Sequence, residues 1–297
     1  MARFIRWLRS NADGFFALVI ALTVGLLGVL DVLNSNQVDP AILLILALLA
    51  TTLLRDRLSA SRALVDASSV RLLHGHEVSQ AHARARRDTE LWAFKGGTGT
   101  YLRAVTLREC VRNARRDKGT LRVRVEIIDP TNESLAQQYA QFRSSLTPGP
   151  DRTGELWTLE RTRKESFATV LAACWYRQRF AFLDINVGLS QVMTTFRWDL
   201  SSNCVIMTQE DPNSPALMFE KGRPHYRAYN RELAASFQQA RPVPIERAAD
   251  LALSDEPTVD EARRLFTKLD LGLPSSFTDR DITDIIRKAI QPKNPYW

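Results

Sequence analysis

The residues best suited to binding chemistry lie between a predicted strand and a predicted helix, in the stretch Phe94-Lys95-Gly96-Gly97-Thr98-Gly99-Thr100-Tyr101-Leu102-Arg103. Backbone amides at such a helix start attract an anion, because they point outward unpaired and sit at the positive end of the helix dipole. An arginine one turn on can pair with a phosphate. Gly96, Gly97, Thr98, Gly99, Thr100 and Arg103 are therefore the candidate anion- or ligand-binding residues. The spacing is neither GxxxxGK[ST] nor GxGxxG. A tight turn that needs positive φ explains the same glycines without a ligand.

Other chemistry is thinly represented. The chain has no GxSxG and no HExxH, and its four histidines limit acid–base schemes. Asp184, Asp199, Glu210 and Asp211 fall near predicted strand ends, where carboxylates ordinarily act as caps, so no metal is expected. Cys110, Cys174 and Cys204 lack metal-ligand spacing and read as small core residues of a reducing compartment. His74, His76 and His82 have no cysteines or paired carboxylates around them. No cofactor is expected. Arg108, Arg112, Arg115, Arg116, Arg122 and Arg124 form a basic surface without interleaved aromatics, so nucleic acid is not the expected partner.

These residues need elements to hold them. LWAFK and LRVRVEIIDP read as strands, and TYLRAVTLRECVRNARRDKG and NESLAQQYAQFRSSL as helices. Strand–helix–strand–helix order indicates a sheet with parallel members. In Leu121–Pro130, Arg122, Arg124 and Glu126 alternate with Leu121, Val123 and Val125, so one face of that strand is only partly covered. Phe167, Val170, Leu171, Cys174 and Trp175 follow the i, i+3, i+4, i+7, i+8 spacing of a core helix. FAFLDINVG reads as a strand. TTFRWDL and CVIMTQE read as a hairpin around Ser201-Ser202-Asn203, PNSPALMFEKG as an irregular crossing, and HYRAYNRELAASFQQA as a helix. The fold class is α/β, with a mixed or parallel sheet and helices on its faces.

Two apolar runs precede this domain. Phe15–Leu33 is long enough to span a bilayer, and Ala41–Leu54 is shorter than the usual span of about 17–25 residues. Arg3, Arg6 and Arg9 stand before them, Arg55, Arg57 and Arg62 after them, and the NSNQVDP link carries no Lys or Arg. The positive-inside bias then implies a transmembrane hairpin bounded by Phe15, Leu33, Ala41 and Leu54. Both termini would be cytoplasmic, giving a two-pass inner-membrane protein. The expected organisation is a hairpin over residues 1–57, a juxtamembrane stalk over 58–88, an α/β domain over 89–242 and a helical segment over 243–297. The net charge of +7, from 40 Lys and Arg against 33 Asp and Glu, favours an anionic partner. The partners expected are the lipid bilayer, a nucleotide or other phosphate, and a protein partner or second copy.

The order strand, FKGGTG, Arg-bearing helix, strand ending in IIDP, long helix and hairpin resembles the phospholipase D-like domain over Arg87–Arg241. The closing pattern Phe219, Tyr226, Tyr229, Phe237 adds to the likeness. Active members carry His-x-Lys-x4-Asp. This chain has instead His225-x-Arg227-x4-Glu232, with arginine where lysine is needed and only one copy. The resemblance therefore implies a domain without the catalytic motif, leaving His225 as its one weak catalytic candidate. The architecture also resembles bacterial membrane effectors of antiphage defence. The expected function is a membrane-anchored regulator or effector whose non-catalytic domain senses a ligand or partner. The alternatives are a phosphodiesterase and a passive membrane scaffold.

Overall fold

The computed structural model divides into two units, Met1–Ser68 and Ser69–Trp297. The structure describes Thr23, Leu46, Leu49, residues 51–53 and 55–60, and residues 70–296 apart from Thr147, Arg152, Pro212 and Asn213. In the first unit residues 51–53 and 55–60 are helical.

The expected transmembrane hairpin is not supported. Among the described residues no helix is long and apolar enough to cross a membrane. Phe15, Leu33, Ala41 and Leu54 lie outside the described residues. The longest helix named below has 21 residues, yet it carries Glu160, Arg161, Arg163, Lys164, Glu165, Arg177 and Arg179. That charge density suits a helix inside a protein and opposes burial in hydrocarbon. The two-pass inner-membrane placement, its cytoplasmic termini and the bilayer as partner rested on the hairpin and fall with it.

The second unit is α/β, with a mixed sheet of eight strands among the described residues. These are β1 (Arg71–Leu73), β2 (Leu91–Lys95), β3 (Leu121–Ile128), β4 (Leu183–Ser190), β5 (Phe196–Ser201), β6 (Cys204–Gln209), β7 (Ala216–Glu220) and β8 (Arg241–Pro242). Their order is β1-β7-β6-β5-β2-β3-β4-β8. β2, β3 and β4 run parallel, whereas β5 is antiparallel to β2 and continues into the antiparallel half through β6 and β7. The helices are α1 (His76–Ala85), a π-helical turn (Leu102–Leu107) running into α2 (Arg108–Arg116), α3 (Glu133–Leu146), α4 (Leu159–Arg179), α5 (Pro224–Gln239), α6 (Val259–Lys268) and α7 (Asp279–Ile290). Residues 70–88, expected as a stalk, thus bring β1 and α1 into the domain. The stretch expected as an irregular crossing contains β7.

Alternation explains the layers. In β2, Trp92 and Phe94 are buried on one face, while Leu91, Ala93 and Lys95 are partly covered on the other. In β3, Leu121, Val123, Val125 and Ile127 enter the main core, and on the opposite face Arg122 is exposed and Arg124 half-buried. The main core also takes Phe167, Val170, Leu171 and Cys174 of α4 together with Leu265, Phe266, Ile282 and Ile285 of the last two helices. The segment expected as a separate appendage is therefore part of one core. Asn132 caps α3 through Leu135 N–H at 3.1 Å, and Thr158 caps α4 through Arg161 N–H at 3.1 Å, as short polar side chains do at helix starts. Thr258 and Thr278 each open a capping box, with Glu261 and Asp281 reaching back.

Candidate ligand-binding crevice

The carboxyl end of β2 meets the start of β5, where the parallel half of the sheet joins the antiparallel half. Crevices outside the carboxyl ends of parallel strands, where topology switches, are common ligand sites. Register builds this one. Phe94 lies opposite Asp199, and Arg197 lies opposite Thr208. Arg197 and Asp199, two residues apart in a strand, therefore share a face. Arg197 Nε donates to Asp199 Oδ2 at 3.0 Å, and Trp92 Nε1 donates to Asp199 Oδ1 at 3.2 Å. Burial pushes the Asp199 carboxyl up, against the pull of Arg197.

Helix α1 lays His82 across this face, with only 2% of its surface exposed. Among the described residues neither ring nitrogen has a hydrogen-bond partner. Nδ1 is 4.0 Å from Asp199 Oδ2, beyond hydrogen-bond reach. Burial, then the nearby Arg197 and Arg86, hold His82 well below its ordinary pKa, so the ring is neutral at pH 7. The buried Thr208 hydroxyl likewise has no partner among the described residues. His82 and Thr208 line the same cleft of about 430 Å³, together with Tyr101, Arg197, Asp211 and Tyr296.

The Gly-rich turn forms the adjoining wall. Gly97, Thr98, Gly99 and Thr100 line a smaller cavity of about 30 Å³ with Tyr139, Arg143 and Glu210. Tyr101, Arg197 and Tyr296 line both spaces. The first-turn amides of the helix that starts here have no intrahelical acceptors, and the π-helical turn follows at once. Such turns recur at functional sites. Glu210 accepts from Tyr139 Oη at 2.9 Å and pairs with Arg143. Burial opposes its ionisation, but Arg143 and Arg197 hold its pKa below the ordinary value.

The turn's glycines are fixed by packing. A Cβ on Gly97 would lie 2.1 Å from Tyr139 Oη. Gly99 has φ +77°, and its Cβ would lie 2.9 Å from Thr169 Oγ1. Arg103, expected to face a phosphate, turns inward instead. It is buried and binds the Glu165 carboxylate and carbonyl, the Thr169 hydroxyl and the Lys288 carbonyl. Thr100 Oγ1 also donates to Glu165, at 3.0 Å. The structure therefore brings Gly97 to Thr100 to the crevice and commits Arg103 to the core. Gly96 sits just behind, its N–H bonded to the Glu126 carbonyl at 3.1 Å.

The remaining candidates lie elsewhere. His225 is exposed at the start of α5 and stacks on Phe219 at 5.6 Å. Arg227 and Glu232 are exposed on the same helix. That helix covers the sheet face opposite Trp92 and Phe94. Asp184 is exposed at the far end of β4, 3.5 Å from Arg122. Among the described residues no group of His, Cys, Asp or Glu could hold a metal ion. Arg108, Arg112, Arg115 and Arg116 are exposed on α2.

Sequence reasoning missed His82, Tyr101, Arg197, Thr208 and Tyr296 as crevice residues. One local signal existed. Phe196-Arg197-Trp198-Asp199-Leu200 places two opposite charges on one strand face, which is uncommon unless they pair. The approach of His82 and Tyr296 depends on tertiary packing, which no local pattern encodes.

Comparison with family models and with curated proteins gives no match. Among solved structures, one similar chain is TrmBL2, described as an archaeal chromatin protein with a novel mode of DNA binding. It is 7% identical, over 71% of this chain and 72% of that one, with a TM-score of 0.34. At that level the likeness sets neither the fold nor a partner for this chain. With no matching family model and with the His225 spacing on an exposed helix, the resemblance to the phospholipase D-like domain is withdrawn. The likeness to antiphage membrane effectors rested on the hairpin and goes with it.

Proposed function

We propose that residues 70–296 form a sensing module that binds a small phosphate-bearing ligand without turning it over. One observation carries this reading. His82 and Thr208 are buried, make no hydrogen bond among the described residues, and line one cleft beside the Arg197 guanidinium. A buried polar group left unsatisfied costs about 1–3 kcal/mol, and buried polar atoms ordinarily find a partner. A polar ligand in the cleft reaches both by displacing the groups that now cover these atoms. The helix start and Arg197 favour an anionic group on that ligand.

The absence of turnover has its own support. The crevice histidine is neutral and does not hydrogen-bond Asp199, whose two oxygens already take Trp92 and Arg197. His225 lies on the opposite face of the sheet. The test is a thermal-shift and calorimetric screen of the full chain against phosphate-bearing small molecules at several concentrations. The expected result is a saturable rise in Tm with at least one of them and an unchanged ligand afterwards by mass spectrometry. A flat response across the panel sinks the sensing reading. Hydrolysis of a bound phosphodiester sinks the non-catalytic part.

A further inference from the structure

The chain's own C-terminal tail already occupies part of the crevice, and the way it does so indicates what the ligand is. Tyr296 sits where the small cavity and the large cleft meet. Its hydroxyl accepts from Arg197 Nη1 at 3.0 Å. Its ring lies 5.3 Å from the Tyr101 ring, tilted by 60°. Arg197 stands 5.0 Å from the centre of the Tyr101 ring and 5.9 Å from that of Tyr296. One aromatic ring bearing an oxygen thus fills a slot built from an aromatic face and a guanidinium.

We infer that the crevice takes a mononucleotide whose base replaces the Tyr296 ring against Tyr101 and Arg197, with its phosphate at the Gly97–Thr100 helix start. The proposal rests on the ligand-sensing reading and names the ligand of that same site. Four features support it. An aromatic base stacks on tyrosine and arginine faces as Tyr296 does. The amides at the helix start suit a phosphate. The unpartnered His82 nitrogens and Thr208 hydroxyl offer one acceptor, one donor and a hydroxyl able to do either, which matches the mixed edge of a base. Displacing Tyr296 joins the 30 Å³ cavity to the 430 Å³ cleft, and pockets of about 300–1,000 Å³ hold ligands of this size. The tail is then an internal competitor, held in place until a nucleotide arrives.

The experiment measures binding of AMP, GMP, CMP and UMP to the full chain by calorimetry, with ribose 5-phosphate, adenosine and inorganic phosphate as controls. Tyr296→Ala is the main variant, and its fold is checked by circular dichroism and melting temperature. At least one nucleotide should bind the wild type, and Tyr296→Ala should bind it about tenfold more tightly, as expected when a closed state populated about nine-tenths of the time is removed. Ribose 5-phosphate and adenosine should each bind far more weakly than the nucleotide. Limited proteolysis should trim the segment around Tyr296 of the wild type faster when nucleotide is bound.

Three results overturn the inference, and one of them reaches further. If ribose 5-phosphate or inorganic phosphate binds as tightly as every nucleotide, the base has no slot and only the sensing reading survives. If a nucleotide binds equally to wild type and Tyr296→Ala, with no change in trimming, the tail does not compete and the proposed pose fails. If neither protein binds any phosphate compound, the inference and the sensing reading fail together.

Discussion

Two buried ionic clusters lie on either side of the Gly-rich turn, and they are finished to different degrees. In the first, Glu165 accepts from Arg103, from Lys288 Nζ at 2.9 Å and from Thr100 at 3.0 Å. Lys288 also reaches Glu155 at 2.7 Å. In the second, Arg197 and Asp199 pair beneath a cleft, while His82 and Thr208 stand beside them without hydrogen-bond partners among the described residues. The first cluster ties α4, α7 and the helix start together. Among the described residues the second leaves two side chains, His82 and Thr208, without hydrogen bonds beside a cleft of about 430 Å³, whereas the first leaves Arg161 Nε without one and adjoins a space of only about 20 Å³. A closed polar network specifies a fold, whereas an open one next to a cleft marks a place for something else.

The comparison breaks most visibly at Glu165. Burial opposes its ionisation, but Arg103 and Lys288 hold its pKa at about 2. Glu165→Gln leaves Arg103 in the interior without a counter-charge, while Lys288 keeps Glu155. Removing one partner of a buried ion pair destabilises by about 3–5 kcal/mol. Urea denaturation should show a fall of that order. A loss under about 1 kcal/mol would mean that the cluster is wet and does not hold the C-terminal helix in place.

Thr208 should behave in the opposite way. Thr208→Val keeps the shape and removes a hydroxyl that bonds nothing among the described residues. The variant should gain about 1–3 kcal/mol, the penalty of an unsatisfied buried polar group. It should also show a smaller ligand-induced rise in Tm than the wild type. Stability and binding moving in opposite directions is the signature of a site rather than a core. A destabilised Thr208→Val would show that the hydroxyl is already satisfied and that the second cluster is as finished as the first.

How much of this was legible depends on the range of the interaction. The strands β2 and β3, the α4 core pattern and the β5–β6 hairpin around Ser202 follow from periodicity and turn residues, which are local. Short polar residues at the α3 and α7 starts, Asn132 and Thr278 among them, are local signals of the same kind. The strand β7 was missed because Pro215 and the preceding Asn-Ser broke the pattern just before Ala216. Arg103 was misassigned because its spacing from the glycines fits a phosphate, while Glu165, its true partner, is 62 residues away. His82 was placed in a juxtamembrane helix or stalk because the burial of that segment through Leu73, Ala81 and Ala85 comes from tertiary packing, which local spacing does not encode. The apolar runs were read from length and composition alone, and no described helix has the character they implied.

The smallest expected effect is also the most specific to the unfinished cluster. The unfolded chain takes up a proton at a histidine near pH 6.5. In the folded state burial, Arg197 and Arg86 resist that proton at His82. Below pH 6.5 the unfolded state therefore binds more protons. The contribution is fully present above that pH and is lost as the pH falls toward the folded value. The slope for one group cannot exceed about 1.4 kcal/mol per pH unit. Asp199, pushed up by burial, works in the opposite sense, so the readout is a difference between proteins. His82→Gln cannot titrate. Between pH 7 and 5.5 the wild type should lose more stability than His82→Gln, and a bound ligand that uses the neutral ring should widen the gap. Parallel slopes would mean that His82 takes up its proton as easily in the folded chain as in the unfolded one. The ring would then be solvated, and the contrast between the closed network and the open one would disappear.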